Sequence, residues 1–385
     1  MKKTVYYWSP CLTHVGTIKS TLNSSIALAK YNSNYEVILL NVFGEWTEYK
    51  KYLNEKGIRV INLTFNFKNL LPKYGFFQSR FSYILIFLIS FIPLLILLKK
   101  NKPDFIIAHL ITSLPIFLFK LFNFNTKLIL RISGMPKLHF IRKIFWNLSS
   151  KNIHSVTCPT LELKKKIEKL NIFTISNIYF LPDAVINISN FKEQLNTKNK
   201  YENIFSKNNK TILAAGRLTK QKNFSYLIDE FSKFCLEFKD YKLIILGDGE
   251  EYESLKKKTK QKSMDNFIFL VGRVDNVFRY MKDSDLFVLC SKWEEMGFVM
   301  IEAALSNLFI ISSNCPNGPS EFLNYGKNGI LFQNNKKNAL YDSLVRFHGI
   351  DKKKKFEDKI KIKKNSMKYS MFRHYQYLKQ ILLNN

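Results

Sequence analysis

The first half of the chain alternates short apolar runs with stretches in which apolar residues recur every three or four positions. The short runs predict strands at 4–8, 36–43, 59–65, 104–110, 127–134 and 155–160. The clearest helical spacing covers 17–30, where Ile18, Leu22, Ile26 and Ala29 share one face. Strands that alternate with helices in this way form a parallel sheet with helices on both faces. The first half is therefore predicted to be a doubly wound α/β domain.

A second alternation of the same kind follows a polar stretch. It predicts strands at 211–216, 242–247, 267–272, 286–291 and 309–313, with helices at 223–238, 250–262 and 298–306. The polar residues 186–209 lack a clear period and are interpreted as a linker. We therefore expect an N-terminal domain of residues 1–185 and a C-terminal domain of residues 210–365. A C-terminal helix is predicted within 366–385, because Met371, Tyr375, Leu378 and Leu382 recur at helical spacing.

One apolar segment raises the question of a membrane. Residues 81–98 form eighteen positions without a charge, which as a helix would extend about 27 Å. That length falls just short of a hydrocarbon core of about 30 Å. A membrane span and a buried or membrane-facing helix are both open, and the second is favoured because Pro103 and a further predicted strand follow at once.

Charge and cysteine usage narrow the function classes. Sixty basic residues against thirty acidic ones leave a net charge of +30, which indicates an anionic partner or reflects lysine-rich codon usage. With 46% apolar residues, the chain is not a disordered protein. Its five cysteines form no CxxC pair and no metal-ligand spacing with histidine, which fits a reducing cytoplasm.

A cationic loop follows the first strand of the second half. Gly216 ends that strand, and Arg217 and Lys222 come next. An arginine fork and a lysine point charge in one loop can hold a diphosphate. Two cations after a strand are also common as a solvated surface, so this loop alone identifies nothing.

An acidic pair frames a predicted helix start further along the chain. Glu294 and Glu302 lie on either side of Gly297, where the helix is predicted to begin. The first turn of a helix offers free N–H groups that suit a phosphate. A carboxylate inside the helix can accept two hydrogen bonds from a ribose diol, although a capping acid and a surface glutamate would look the same.

Taken in order, these motifs resemble glycosyltransferase family 4, the retaining enzymes of the GT-B fold. The motifs are GRLTKQKNF, LGDGEE, VGR, the two glutamates with glycine between them, and NCPNGPSEFLNYGKNG. The resemblance covers 211–333 well and the N-terminal half more loosely, where only Gly16 stands in place of the family's paired glycines. It implies two Rossmann-like domains facing a central cleft, with the acceptor bound by the N-terminal domain and a nucleotide sugar bound by the C-terminal one.

The resemblance also implies the role of each site residue. Arg217 and Lys222 would bind the donor diphosphate, Glu302 the ribose, and Glu294 the transferred sugar. The remaining substrate-binding positions would be Gly16, Gly216, Gly272, Gly297, Phe298 and Val299. His109 would face the sugar from the other domain, so that His109 and Glu294 are expected on opposite walls of one cleft. No protein base is required in retaining enzymes of this kind.

We expect no metal or other cofactor. Asp283 and Asp285 spell the DxD motif of another glycosyltransferase fold, but Arg217 and Lys222 already supply the charge that a divalent ion would provide. The expected donor is a UDP-sugar that supplies a hexosyl or N-acetylhexosaminyl group. The expected acceptor is a lipid-linked or surface glycan of bacterial capsule, O-antigen or lipopolysaccharide.

Charge and the 81–98 segment favour a peripheral position at the anionic inner face of the plasma membrane, reached from the cytoplasm. No sequence pattern of a nucleic-acid-binding module is present, so no nucleic-acid partner is expected. The alternatives are a nucleotide-sugar epimerase or hydrolase of the same fold and, from charge alone, a nucleic-acid-binding protein.

Overall fold

The chain folds into two compact units, each built on one parallel sheet. The computed structural model describes residues 2–12, 16–72, 76–136, 138–195, 209–334 and 336–383. One unit comprises Met1–Val185 with Met371–Asn385, and the other comprises Ile186–Ser370. The predicted fold class, two doubly wound α/β domains, is confirmed.

The described residues of the first unit form a seven-stranded sheet. Its strands are β1 Lys3–Trp8, β2 Tyr35–Asn41, β3 Arg59–Asn62, β4 Phe105–Ala108, β5 Lys127–Arg131, β6 Ser155–Cys158 and β7 Ile178–Phe180. They pair in the order β3-β2-β1-β4-β5-β6-β7. The direction of winding reverses between β1 and β4, where Val5 pairs with Phe105. Loops diverge from such a reversal and leave a crevice at the carboxyl ends of the strands.

Helices cover both faces of this sheet. They are α1 Gly16–Tyr31, α2 Lys50–Glu55, α3 Phe76–Asn101, α4 Ser113–Leu121, α5 Phe140–Ser149 and α6 Leu161–Glu168. Helices α3, α4 and α5 share one core with strands β4 and β5, in which Leu94, Ile116 and Trp146 are buried. Helix α1 contributes to the core on the other face. The two cores fit strands that are apolar on both faces.

Helix α3 extends at both ends beyond the predicted 81–98 and belongs to this helical layer. Ile86, Leu94 and Leu98 on one side of it are buried in the core. Within the described residues, Arg80–Asn101 is long and apolar enough to cross a membrane, and 28% of its most apolar window is buried. The packing therefore fits a helix with one face on the sheet and the other face outward.

The second unit contains a six-stranded sheet in its described part. Its strands are β8 Lys210–Ala215, β9 Tyr241–Leu246, β10 Ile268–Gly272, β11 Leu286–Leu289, β12 Phe309–Ser313 and β13 Ile330–Phe332, in the order β10-β9-β8-β11-β12-β13. The helices are α7 Ile188–Gln194, α8 Phe224–Glu237, α9 Tyr252–Gln261, α10 Val277–Lys282, α11 Phe298–Leu305, α12 Gly318–Phe322, α13 Ala339–Gly349 and α14 Lys352–Ser366. Here the winding reverses between β8 and β11.

The interpretation of 186–209 as a linker needs correction at its start. Helix α7 lies inside that range and packs on α10, with the Phe191 and Phe278 rings edge to face at 4.9 Å. The Asn276 side chain also donates to the carbonyl of Gln194 at 2.6 Å. A seven-residue helix is too short to show a period, which explains why the sequence did not reveal it. The later part of the range, 196–208, lies outside the described residues.

The chain returns to the first unit through helix α15, Met371–Leu383. Residues 366–370, which were predicted to belong to this helix, lie in the second unit instead. The four residues that predicted the helix, Met371, Tyr375, Leu378 and Leu382, are all buried. Helix α15 packs against α1, where Tyr31 contacts Phe372 with ring centroids 5.2 Å apart.

A buried polar chain lies beneath α15. The carbonyl of Pro182 accepts a hydrogen bond from His374 Nδ1 at 2.6 Å, so His374 Nε2 is left to accept from the Ser24 hydroxyl at 2.7 Å. Tyr7 donates in turn to Ser24 at 3.0 Å. Burial lowers the pKa of His374 to about 4, an effect that the Arg131 charge reinforces and the Pro182 hydrogen bond opposes.

The neutral state of His374 predicts a loss of stability in acid. The unfolded state takes up a proton near pH 6.5 and the folded state only near pH 4, so stability is full above 6.5 and falls as the pH drops below it. Because of this histidine, the free energy of unfolding of the wild type should fall by about 2 kcal/mol between about pH 7.5 and pH 5. In His374→Gln, the fall over the same interval, measured by urea unfolding, should be smaller by that amount. The exposed His139→Gln should behave like the wild type, and equal losses in all three proteins would contradict the assignment.

Candidate functional site

The loops that follow β8 and β11 meet at the point where the second sheet reverses its winding. The backbone N–H of Lys292 donates to the carbonyl of Gln221 at 2.8 Å. The Gln221 side chain donates to the carbonyl of Trp293 at 2.9 Å. The Cys290 thiol donates to the carbonyl of Lys222 at 3.0 Å. The topology thus joins two segments that are about seventy residues apart in sequence.

An ion pair lies at this junction. Lys222 Nζ contacts Glu294 Oε1, and the Ser291 hydroxyl donates to the same oxygen at 2.6 Å. The side chain of Glu294 is 8% exposed and that of Lys222 is 16% exposed, so the pair is shielded from water. A carboxylate held by two donors has a fixed orientation, which a binding group needs.

Arg217 and Gly216 complete the cationic loop. Arg217 is exposed, and within the described residues its guanidinium has no ion-pair partner. A Cβ added to Gly216 would lie 3.2 Å from Cε of Lys222. Gly216 therefore leaves the space that the Lys222 side chain occupies, and Arg217 remains available to an anion.

Helix α11 begins beside this ion pair. Gly297 precedes it with φ 71° and ψ 63°, a left-handed conformation that glycine adopts without strain. The N–H of Met300 donates to the Gly297 carbonyl at 2.9 Å, and Phe298 and Val299 precede it in the first turn. Glu302 is buried within the helix. The predicted phosphate-binding turn and the predicted ribose carboxylate therefore occur in one short helix.

The sequence did not single out three glycines that shape this site. A Cβ on Gly247 would lie 1.8 Å from the Gly216 carbonyl oxygen, and one on Gly249 would lie 2.5 Å from that of Leu218. A Cβ on Gly318 would lie 2.5 Å from Cα of Met296. They stand within the motifs LGDGEE and NCPNGPSE, and only contacts between loops show that they permit close backbone approach.

Gly272 ends β10 at the same edge of the sheet. Its carbonyl accepts a hydrogen bond from the Gly247 N–H at 2.8 Å, which ties the ends of β9 and β10 together. Its φ is 83°, and a Cβ there would meet nothing within 4 Å. Gly272 therefore borders open space, as expected for a residue beside a bound base.

His109 lines a cavity in the first unit. It follows β4 directly, because that strand ends at Ala108 and not at the predicted residue 110, and its backbone N–H donates to the Trp8 carbonyl at 2.8 Å. The cavity measures about 900 Å³, and its wall includes residues from the loop after β1 and from α3, α4 and α5. His109 is 6% exposed, and its Nδ1 has no hydrogen-bond partner in the part of the chain that the structure describes. Gly16 begins helix α1, and residues 13–15 before it lie outside that part.

Arg131 shares the cavity wall and was not predicted. Its guanidinium donates to the Leu181 carbonyl and to Asp183, each at 2.6 Å. Burial, and then the charge of Arg131, hold the pKa of His109 well below its usual value, with a smaller effect from His374. The imidazole of His109 is therefore neutral at physiological pH. The sequence pattern did not mark Arg131 as a site residue, because Arg131 is the last residue of an apolar strand.

Asp283 and Asp285 lie at the opposite end of the second sheet from this site. The Thr211 N–H donates to the Asp285 carboxylate at 2.8 Å, which links the starts of β8 and β11. Asp283 pairs with Arg279 at 3.4 Å. Both carboxylates therefore have structural partners, and the described residues contain no cluster of three or more metal-ligating side chains.

The predicted residues thus form two groups. Lys222, Glu294 and Glu302 belong to the second unit together with the surrounding glycines, and His109 belongs to the first. That His109 and Glu294 share one cleft stays a prediction.

Known proteins resemble the chain in both sequence and fold. The family model "Glycosyl transferases group 1" matches residues 196–363. An uncharacterised glycosyltransferase of Methanocaldococcus jannaschii is 31% identical over 296 residues, which are 68% of this chain and 71% of that protein. The N-acetylgalactosamine-N,N'-diacetylbacillosaminyl-diphospho-undecaprenol 4-alpha-N-acetylgalactosaminyltransferase of Campylobacter jejuni is 24% identical over 281 residues, 70% of this chain and 74% of that protein.

Solved structures extend the similarity to both units. A glycosyltransferase from Rickettsia africae superposes with a TM-score of 0.77 at 18% identity, over 100% of each chain. HepE of Anabaena in complex with UDP-glucose gives 0.71 at 14% identity, over 99% of this chain and 100% of that one. These identities are low and show the fold alone, which is GT-B. The family match and the relationship to the archaeal protein confirm the resemblance drawn from the motifs: the chain belongs to the glycosyl transferases group 1, glycosyltransferase family 4.

Proposed function

We propose that the chain is a retaining glycosyltransferase that moves a hexosyl or N-acetylhexosaminyl group from a UDP-sugar to a lipid-linked or surface glycan. The acceptor would belong to bacterial capsule, O-antigen or lipopolysaccharide. The observation that carries the proposal is the junction of Lys222, Ser291 and Glu294 beside the first turn of α11. This junction combines a cation for a phosphate with an oriented carboxylate for sugar hydroxyls.

Two similar proteins support the choice of substrates. HepE of Anabaena has been solved with UDP-glucose, and a UDP donor suits a site with two cations and a helix start. The Campylobacter relative is named for transfer to a saccharide on diphospho-undecaprenol. A lipid-linked acceptor agrees with the net charge of +30, since basic residues near an anionic membrane contribute about 1 kcal/mol each. The proposed location is therefore the cytoplasmic face of the plasma membrane.

The main requirement of the reaction is that the site stabilise the negative charge on the leaving UDP. The bond from sugar to phosphate breaks as negative charge gathers on the diphosphate. Arg217 and Lys222 would neutralise that charge, and the N–H groups at the start of α11 would stabilise it further. Glu294 already holds Lys222 in place before the donor binds, so little reorganisation is needed. The metal ion that other enzymes use for this purpose is not required.

His109 would act on the sugar as a neutral group. Positive charge develops on the sugar ring as the leaving group departs, as in other glycosyl transfers. A protonated histidine would oppose that charge, whereas the lowered pKa of His109 keeps the ring neutral. The imidazole, which lines the cavity, can then hydrogen-bond to a sugar hydroxyl without an electrostatic penalty. No protein base is needed, because the acceptor attacks on the face from which UDP leaves and its hydroxyl proton passes to the departing phosphate oxygen.

The function itself can be tested with purified protein, a set of nucleotide sugars and a lipid-linked saccharide acceptor. A UDP-sugar at 100 times its dissociation constant should stabilise the fold by about 2.7 kcal/mol, measured as a thermal shift. UDP release should require the acceptor and should continue in EDTA. UDP release without any acceptor would indicate a hydrolase or epimerase instead, and loss of activity in EDTA with rescue by manganese would contradict a metal-independent reaction.

The two cations should each be needed for turnover. Arg217→Ala and Lys222→Ala should each lower kcat by at least about a hundredfold, the usual scale for losing one charge-stabilising group. The matched control is Lys220→Ala, which removes an exposed lysine from the same loop. Its kcat should match the wild type. Nearly normal kcat in both test variants would disprove the diphosphate assignment.

The loop that carries Glu294 should depend on Gly318. The Cβ of Gly318→Ala would collide with backbone atoms, at 2.5 Å from Met296 Cα and 2.6 Å from the Glu295 carbonyl oxygen. The loop must then shift, and kcat/KM should fall by about tenfold to a hundredfold. The control Gly349→Ala has nothing within 4 Å and should keep normal kinetics. Circular dichroism of both variants would separate a local shift from unfolding, and unchanged kcat/KM in folded Gly318→Ala would refute the positioning role.

A further inference from the structure

Helix α5 exposes its apolar residues to solvent. Phe140 is 79% exposed, Ile141 80%, Ile144 40% and Leu148 60%. The opposite side of the helix is buried through Trp146 and Ser149. Helix α5 therefore has apolar side chains on two sides, and only one side packs on the rest of the unit. Large exposed apolar patches on soluble proteins mark interaction sites, so the second side is a candidate surface for an apolar partner.

Helix α3 exposes a parallel set of residues. Phe81, Ile84, Leu88, Ile92 and Ile96 are 55% to 63% exposed, and their spacing of three or four places them in one stripe. Helix α4 joins α3 and α5 into one layer, since Phe117 packs on Phe87 of α3 and α4 also packs on α5. We call the exposed residues of α3 and α5 together the apolar face. It lies on the side of the layer that points away from the sheet.

Charge around the apolar face has one sign. None of the helices α3, α4 and α5 contains an acidic residue. The basic residues in them are Arg80, Lys99, Lys100, Lys120, Arg142 and Lys143. Apolar side chains flanked by lysine and arginine suit a leaflet with anionic headgroups, whereas a protein partner with a purely apolar surface would gain nothing from the cations.

Residues of the same two helices line the His109 cavity. Tyr83 of α3 lines one side, and Ile141, Arg142 and Phe145 of α5 line another. Tyr83 and Ile141 are also exposed, so the cavity wall continues onto the outer surface of the layer. A lipid-linked molecule could therefore reach the cavity from that surface along apolar side chains.

We propose that the apolar face docks into an anionic leaflet, with α5 inserted beside the mouth of the His109 cavity. The lipid chain of the acceptor then stays in the leaflet while its saccharide enters the cavity beside His109. The docking proposal rests on the exposed apolar residues and on the basic residues around them. Only the identity of the molecule in the cavity rests on the proposed glycosyl transfer.

Binding to vesicles tests the docking directly. The probe is vesicles of phosphatidylcholine with phosphatidylglycerol, and the measurement is cosedimentation of the full chain. The triple variant Phe140→Ser, Ile144→Ser and Leu148→Ser, whose three positions do not line the cavity, should bind at least tenfold more weakly than the wild type. The wild type should also bind at least tenfold more weakly to vesicles of phosphatidylcholine alone.

A matched control separates a specific face from general surface hydrophobicity. Ile175, Leu236 and Phe356 are 60%, 69% and 60% exposed and lie outside the apolar face. Their triple serine variant should bind vesicles like the wild type. Thermal stability and UDP binding should be unchanged in both triple variants, which shows that each is folded.

The outcomes distinguish docking from the proposed reaction. Wild-type vesicle binding by the α5 triple variant would overturn the docking proposal, as would a wild-type dimer in solution that this variant dissociates. Transfer to a bilayer-embedded acceptor should fall at least tenfold in the variant, while transfer to a short-chain soluble acceptor stays normal. Vesicle binding without transfer to either acceptor would leave the docking face in place and refute the proposed lipid-linked acceptor.

Discussion

Parallel strand pairing is the constraint from which the site follows. Each crossover helix returns the chain to the start of the next strand, so all strands of a sheet end at the same edge. Where the order reverses, between β8 and β11, the loops after both strands diverge and enclose a crevice. Lys222 and Glu294 meet there although they are far apart in sequence. The same reversal between β1 and β4 sets His109 at the edge of the first sheet.

Glycine makes the close contacts of the second unit possible. Gly247 and Gly249 let the loop after β9 approach the loop after β8, and Gly318 lets α12 approach the loop of Glu294. Side chains at these positions would push the backbones apart and loosen the junction. Lys222 and Ser291 orient Glu294, and the loops that carry these residues pack closely because of glycines that have no functional group themselves.

The first unit buries ionisable side chains and leaves apolar side chains exposed. Beneath α15 and around His109, burial keeps two histidines neutral, so the cavity wall combines a neutral ring with the fixed charge of Arg131. On the other side of the helical layer, α3 and α5 leave apolar residues uncovered. Water disfavours such a surface and a lipid leaflet favours it, so one layer of helices can close the core and face a membrane.

The sequence by itself determined the family and most of the secondary structure. Periodicity identified most strands and helices such as α1, α8 and α15, because each repeats its apolar pattern. It did not identify α13 or α14, and α14 consists mainly of lysine and other polar residues that show no apolar stripe. Motifs marked Arg217, Lys222, Glu294 and Glu302, since their residue types and order are specific to the family. Tertiary structure decided the rest. The partner of Lys222, the closeness of Gly318 to its neighbouring loop, the cavity position of Arg131 and the exposure of α5 all depend on contacts between distant segments. A periodic pattern shows which residues of a helix are apolar, but only packing shows which of them remain uncovered.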